Sequence, residues 1–330
     1  MKRPLDASII ITTYDRYELV PGAIRSALTQ NGSSQRYEII VVDNCPVQPQ
    51  HEKLKSAFAN EHAVKIVSEP RKGLSVARNT AVELSRAPIV CFIDDDALAH
   101  PDWLSELLTV FKCYGDKVGI VGGSISPKWQ GPVPDWIKKR HLGHLSVVDW
   151  GGRTRIANED EWFAGCNIAF NKQALIEVGG FNSSLGRSGS DLVLLSNEES
   201  EVTQKIEALG KLRIYAPEAK VEHIIFPARM DPDWFRRRLA WQAVSDFVMK
   251  PDQSTQYAVK VADRVHRRLN NRKHRTILEQ VLSMFQRRPN KSQPAPEIDY
   301  AYDLTMAMVS GQDILCDVGS DPQVKKVPDE

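Results

Sequence analysis

The sequence lacks any apolar run approaching the roughly 20 residues of a membrane-spanning helix. The apolar stretch nearest its start, Ile9 to Ile11, is too short for the apolar region of a signal peptide. Charge of one sign is missing too: 43 Lys and Arg face 42 Asp and Glu, a formal net charge of +1. So even a balance gives no electrostatic ground for a nucleic-acid partner, and any basic surface must be local. Cysteine is sparse and unpatterned. Cys45, Cys91, Cys113, Cys166 and Cys316 are odd in number and show no CxxC spacing, which argues for reduced thiols rather than a disulfide framework or a zinc site. No internal repeat is present. These absences lead to the expectation of a cytoplasmic protein with at most a peripheral contact at the inner face of a membrane. They leave the oligomeric state open.

What is present is an ordinary globular composition, 42% hydrophobic and 26% charged, in a chain of 330 residues that can bury a substantial α/β core. β-Branched runs at 7–12, 37–43, 64–68, 89–93 and 118–121 alternate with amphipathic stretches near 19–30, 52–60, 75–85 and 101–114. That alternation predicts βαβ units around a mainly parallel sheet flanked by helices. The runs are apolar without a period of two, as expected of strands covered on both faces. Ligands bind such sheets beyond the carboxyl ends of the strands. Three of these ends carry polar residues: Thr12-Thr13-Tyr14-Asp15, Asp43-Asn44 and Asp94-Asp95-Asp96.

Residues 122–162 are rich in Gly, Pro and Trp and read as loops and irregular strands over the binding face. Regular structure is expected again at 167–170, 172–178 and 198–209, followed by short strands at 212–215 and 220–225. From Pro232 the chain reads as helical and basic, with a proline-bearing linker near 287–297. The expected division is a catalytic domain over 1–245 and a helical extension over 246–330.

The acidic triplet is the strongest chemical signal. Carboxylates crowded at a strand end repel one another unless a cation or hydrogen-bond donors compensate. Hard divalent cations take oxygen ligands and commonly pair one or two carboxylates with substrate phosphates.

Read in order, the motifs resemble family 2 glycosyltransferases of the GT-A fold. They are "SIIITTYDR" at 8–16, "IIVVDN" at 39–44, "GLSVARNTA" at 73–81, "CFIDDDA" at 91–97, "GCNIAFNKQALIEVGGF" at 165–181 and "NEESEVTQKIEALG" at 197–210. Each is weak alone; their order and context are specific, and the likeness extends to about residue 245. The resemblance implies a Rossmann-like GT-A domain that binds a nucleotide sugar with a divalent metal, Mn²⁺ or Mg²⁺. Thr12, Tyr14 and Arg16 would then border the base or ribose. Asp43 would accept from an imide N–H of the base, which suits uracil, thymine or guanine and disfavours cytosine. Arg78 would contact the nucleotide or its diphosphate, and Asp95 and Asn167 would lie along the donor site. Asp94 and Asp96 match the DxD motif, with Asp96 the direct metal ligand and Asp94 a second ligand or a ribose contact. His223 would be a further metal or diphosphate contact, favouring Mn²⁺. The acidic pair Glu198-Glu199 falls where inverting relatives carry their base, with Glu199 as the base and Glu198 as its support.

The implied activity is inverting transfer of a sugar from a nucleoside-diphosphate donor, UDP favoured, to a hydroxyl on a saccharide or lipid-linked glycan. Two other readings compete. A nucleotidyltransferase would show a glycine-rich basic loop after the first strand, where Thr12-Thr13-Tyr14-Asp15 stands instead. A non-catalytic nucleotide- or glycan-binding relative has no need of the intact Asp96 and Glu199.

Overall fold

The computed structural model describes residues 4–32, 36–187, 194–270 and 296–310. The described chain forms two compact units, Met1–Phe235 and Arg236–Glu330.

The first unit is built on a nine-stranded sheet. Four strands follow the βαβ pattern: β1 (Ala7–Thr13), β2 (Tyr37–Asp43), β3 (Val64–Ser68) and β4 (Ile89–Asp94), all parallel in the order β3-β2-β1-β4. Their connecting helices are α1 (Val20–Leu28), α2 (Gln50–Ala57) and α3 (Leu74–Leu84). Ile9, Ile10, Ile11, Val41 and Val42 are fully buried, which explains why these strands read as unbroken apolar runs.

Beyond β4 the sheet turns mixed, with antiparallel strands added to this parallel core. β5 (Ala97–Ala99) and α4 (Trp103–Tyr114) lead to β6 (Val118–Trp129), then β7 (Arg155–Ile156) and β8 (Ile168–Asn171). A short helix α5 (Lys139–Leu142) lies between β6 and β7. After β8 come α6 (Lys172–Glu177), α7 (Glu198–Ala208) and β9 (Leu212–Ile225). β8 runs antiparallel to both β4 and β6, β9 is parallel to β6, and β5 and β7 pair antiparallel with β9.

Two strands are longer than their apolar runs suggest. β6 continues to Trp129, and β9 is one strand where two were expected. The two interrupt each other: the register jumps from Gly123↔Ala216 to Ile125↔Val221, so residues 217–220 bulge opposite Ser124. Side chains hold the bulge, with Ser124 Oγ donating to Pro217 O at 2.7 Å and Asn167 Nδ2 donating to Ala219 O at 2.7 Å. A Cβ on Gly123 would lie 1.8 Å from Ala219 O, so only glycine fits there.

Helix α8 (Pro232–Met249) begins in the first unit and continues into the second, which adds α9 (Pro251–Asn270) and α10 (Pro296–Val309). In the second unit Ala243, Ala258 and Met306 form a small buried cluster with Phe247, Tyr302 and Val309 packed against it. Tyr257 donates to Asp303 and Tyr302 to Asp246. The expected linker falls mostly outside the described residues, which resume at 296. Among the described residues, no helix is long and apolar enough to cross a membrane.

Candidate active site

The carboxyl ends of β1, β2, β3 and β4 come together on one edge, where Thr12 pairs in register with Asp94 and Thr13 with Asp43. Three side-chain assemblies occupy that edge.

The first surrounds Asp43, which is fully buried. Its Oδ1 accepts from Cys45 N at 3.0 Å, and its Oδ2 accepts from Tyr17 at 2.7 Å and lies 2.7 Å from His51 Nδ1. His51 Nε2 is 2.9 Å from Ser68 Oγ, which is exposed at the end of β3. Asp43 is thus a junction with three partners rather than a bare acceptor. Sequence reasoning missed Tyr17, His51 and Ser68. Only the eight-residue step from Asp43 to the buried face of α2 hinted at His51.

The second assembly is the acidic triplet. Thr13 Oγ1 donates to Asp95 Oδ2 at 2.8 Å, and Arg16 Nη1 bridges Asp95 Oδ1 at 3.0 Å and Asp96 Oδ2 at 2.7 Å. Arg16 therefore clamps the carboxylates. Asp95 faces inward, where burial and the neighbouring Asp96 push its carboxyl up to about 7. Asp96 is as buried, but its cationic neighbours, Arg229 first, outweigh burial and hold it well below the usual carboxylate range. Asp94 is the open member, with its side chain 34% exposed.

β5 brings His223 to this triplet, because Ala97 pairs with His223 across the β5–β9 ladder. His223 Nδ1 is 2.8 Å from Leu145 O, a contact that only an N–H can make. In the neutral tautomer this leaves the lone pair on Nε2, 3.4 Å from Asp96 Oδ1. Arg229 donates from Nη1 to that Nε2 at 3.0 Å and from Nη2 to Asp96 Oδ2 at 2.9 Å. Nothing in the sequence singled out Arg229, which follows β9 on a single turn of 3-10 helix, Pro227–Met230.

The third assembly joins the triplet to the acidic pair. Arg78 Nη1 donates to Glu198 Oε1 at 3.0 Å and to Glu199 Oε1 at 2.8 Å, and Nη2 lies 3.4 Å from Asp94 Oδ1. Its guanidinium is buried between the rings of Phe92 and Phe181, at 5.8 and 5.4 Å. Arg78, expected to contact the nucleotide or its diphosphate, is here engaged with three carboxylates. Glu198 is the buried member, 4% exposed and pushed up to about 7 by burial and by Glu199. Glu199 is the more open, at 16%. The pair starts α7 directly after Asn197, which sits in the left-handed region at φ 80°. A Cβ on Gly165 would lie 2.0 Å from Glu199 Oε1 and 2.1 Å from Arg78 Nη2, so this glycine makes room for the ion pair.

Asn167 does not join the site. It is fully buried, with Nδ2 donating to Ser124 O and Ala219 O and Oδ1 accepting from Trp103 Nε1. Both of its N–H donors hold the β6–β9 bulge and its oxygen ties α4, so this side chain is committed to the fold. Thr12 and Tyr14 stay at the strand edge, Thr12 buried and Tyr14 half-buried.

The family model for Glycosyl transferase family 2 matches residues 8–179, more than half of the chain. The chain belongs to glycosyl transferase family 2. This family 2 chain is 28% identical over 248 residues to the glucosyl-dolichyl phosphate glucuronosyltransferase of Haloferax volcanii, covering 74% of this chain and 77% of that protein. It is 26% identical over 239 residues to the succinoglycan biosynthesis protein ExoM of Rhizobium meliloti, covering 71% and 72%. Its fold is GT-A, shared with two solved structures. One is the mannosyltransferase PcManGT from Pyrobaculum calidifontis with GDP-Man and Mn²⁺, at TM-score 0.51 and 23% identity. The other is GalNAc-T7 with UDP, GalNAc and Mn²⁺, at TM-score 0.52 and 16% identity. The likeness covers 73% and 68% of this chain but only 63% and 45% of those two.

Among the described residues no three His, Cys, Asp or Glu side chains cluster to hold a metal ion. The donor chemistry nonetheless fits a divalent cation. Asp96 Oδ1 and His223 Nε2 lie 3.4 Å apart beside the open carboxylate of Asp94, an oxygen and nitrogen donor set of the kind a divalent cation takes. Sites of this kind are completed by substrate phosphates.

Proposed function

We propose that this family 2 glycosyltransferase moves a sugar, with inversion, from a nucleoside-diphosphate donor to a hydroxyl of a saccharide or lipid-linked glycan. The observation that carries the reading is the chain of contacts from Glu199 through Arg78 to Asp94. It spaces a half-open carboxylate from an acidic strand end by one buried guanidinium. A lipid-linked acceptor, met at a membrane surface, is suggested by the relative that acts on glucosyl-dolichyl phosphate.

A divalent cation, Mn²⁺ or Mg²⁺, would be held by Asp96 and His223 with Asp94 beside them, and would neutralise charge on the leaving diphosphate. The base sits at the ends of β2 and β3. There the assembly of Asp43 with Tyr17 and His51 borders the base, and a base with an imide N–H is favoured, UDP over CDP. Glu199 takes the proton of the acceptor hydroxyl as that oxygen attacks the anomeric carbon. Arg78 holds Glu199 in place, while Glu198 shares the same guanidinium nitrogen. One displacement inverts the configuration.

A thermal-shift panel of nucleotide sugars, with and without Mn²⁺, tests the donor. A ligand at 100 times its Kd should stabilise by roughly 2.7 kcal/mol. No shift with any UDP- or GDP-sugar in the presence of Mn²⁺ would remove the donor site from this edge.

A further inference from the structure

Arg229 engages both side chains that a metal would need, at His223 Nε2 and at Asp96 Oδ2. Its Nη1 donates to the lone pair of His223 Nε2, and its Nη2 donates to Asp96 Oδ2. Leu145 O fixes the tautomer that puts this lone pair there. An arginine cannot give up its proton near neutral pH, so it can yield these atoms only by moving. The means of moving is at hand: the residue sits on one 3-10 turn after β9, its side chain still 15% exposed.

We propose that Arg229 is a resident counter-ion that trades Asp96 and His223 for the diphosphate of the donor, so that divalent metal and nucleoside diphosphate load together. The inference rests on the donor-site reading above. A metal arriving alone must push a guanidinium away from its two partners and leave a displaced cation beside a divalent one. A metal arriving with a diphosphate brings the anion that the displaced fork matches, with two N–H groups for two phosphate oxygens. Asp96 does not go uncompensated meanwhile, because Arg16 Nη1 donates to the same Oδ2 at 2.7 Å. The fold thereby penalises half-loaded states. By linkage, the factor by which diphosphate tightens metal binding equals the factor by which metal tightens diphosphate binding.

Mn²⁺ binding by the full chain, read from the electron paramagnetic resonance signal of the free ion, tests this without turnover. Titrations are run on the native protein, Arg229→Gln and Arg229→Lys, each without nucleotide, with saturating UDP and with saturating GDP. Without nucleotide, Arg229→Gln should bind Mn²⁺ about tenfold more tightly than the native protein. The factor by which the better of the two nucleotides tightens Mn²⁺ should fall about tenfold in the same variant. Arg229→Lys keeps the charge but cannot reach both partners, so it should fall between; if Arg229→Gln does not fold, the lysine variant carries the test. A merely structural arginine would not change the coupling factor. Unchanged or weaker nucleotide-free Mn²⁺ binding in both variants, with normal tightening by nucleotide, would overturn the exchange and leave the donor site standing. Absence of Mn²⁺, UDP and GDP binding in the native protein would overturn both.

Discussion

Glu199 Oε1 accepts a 2.8 Å hydrogen bond from Arg78 Nη1, and Arg78 is itself a buried guanidinium. One cation thus balances Glu199, Glu198 and Asp94. Arg78→Met would leave these carboxylates without their shared partner. Breaking a buried pair by removing one member costs about 3–5 kcal/mol. Denaturant unfolding should show a loss of that order, together with loss of transfer. A variant as stable as the native chain would show that the carboxylates find other compensation.

Gly165 should not tolerate a methyl group. The clash falls on the far ends of Glu199 and Arg78 rather than on backbone, so the fold should survive while the pair is pushed out of place. Misplacement of about 1 Å at a reacting group can cost 10²-fold in rate. Gly165→Ala is therefore expected to lower kcat by about that factor with donor affinity little changed, as steady-state kinetics would reveal.

Glu198 gives a pH signature of its own. Its carboxyl is pushed from 4.5 up to about 7 by burial first and Glu199 second, so between those values the folded chain binds more protons than the unfolded one. Stability from this group is fully present below about 4.5 and is lost as pH rises through 7. Glu198→Gln removes the loss, so the melting temperature of the variant relative to the native protein should climb from pH 5 to pH 8. A difference that stays flat across this range would contradict the raised value.

The proposed metal site at Asp96 and His223 predicts metal dependence. Chelation should abolish transfer, and Mn²⁺ or Mg²⁺ should restore it. Asp96→Ala should lose activity, because Asp94 and His223 alone offer too few ligands. Full activity of a rigorously demetallated sample would contradict this.

The strand ends were legible in the sequence because a polar residue closing an apolar run marks where a parallel strand leaves the sheet. Thr13, Asp43 and Asp94 all stand at such ends. The acidic pair could be placed at a helix start for a similar local reason. What could not be read was tertiary. Arg229 reaches Asp96 across 133 positions, and Arg78 meets Glu199 across 121, so no periodicity encodes either contact. The β6–β9 bulge hid as well, since Asn167 and Ser124, which bond to the bulged carbonyls, lie 52 and 93 positions away from them. The packing role of Asn167 hid for the same reason: its neighbours in sequence are motif residues, while its partners lie on α4, β6 and β9.

The most direct test of the account is Glu199→Gln, assayed for transfer rate, donor affinity and the anomeric configuration of the product by NMR. Glutamine keeps the size of the side chain and can still accept from Arg78, but it cannot take up the acceptor's proton. A positioned general base contributes typically 10²–10⁴-fold. The account predicts a fall in kcat within that range, donor affinity close to native, and a native product of configuration opposite to that of the donor. A Glu199→Gln enzyme near native speed, or a product that retains the donor's configuration, would contradict it.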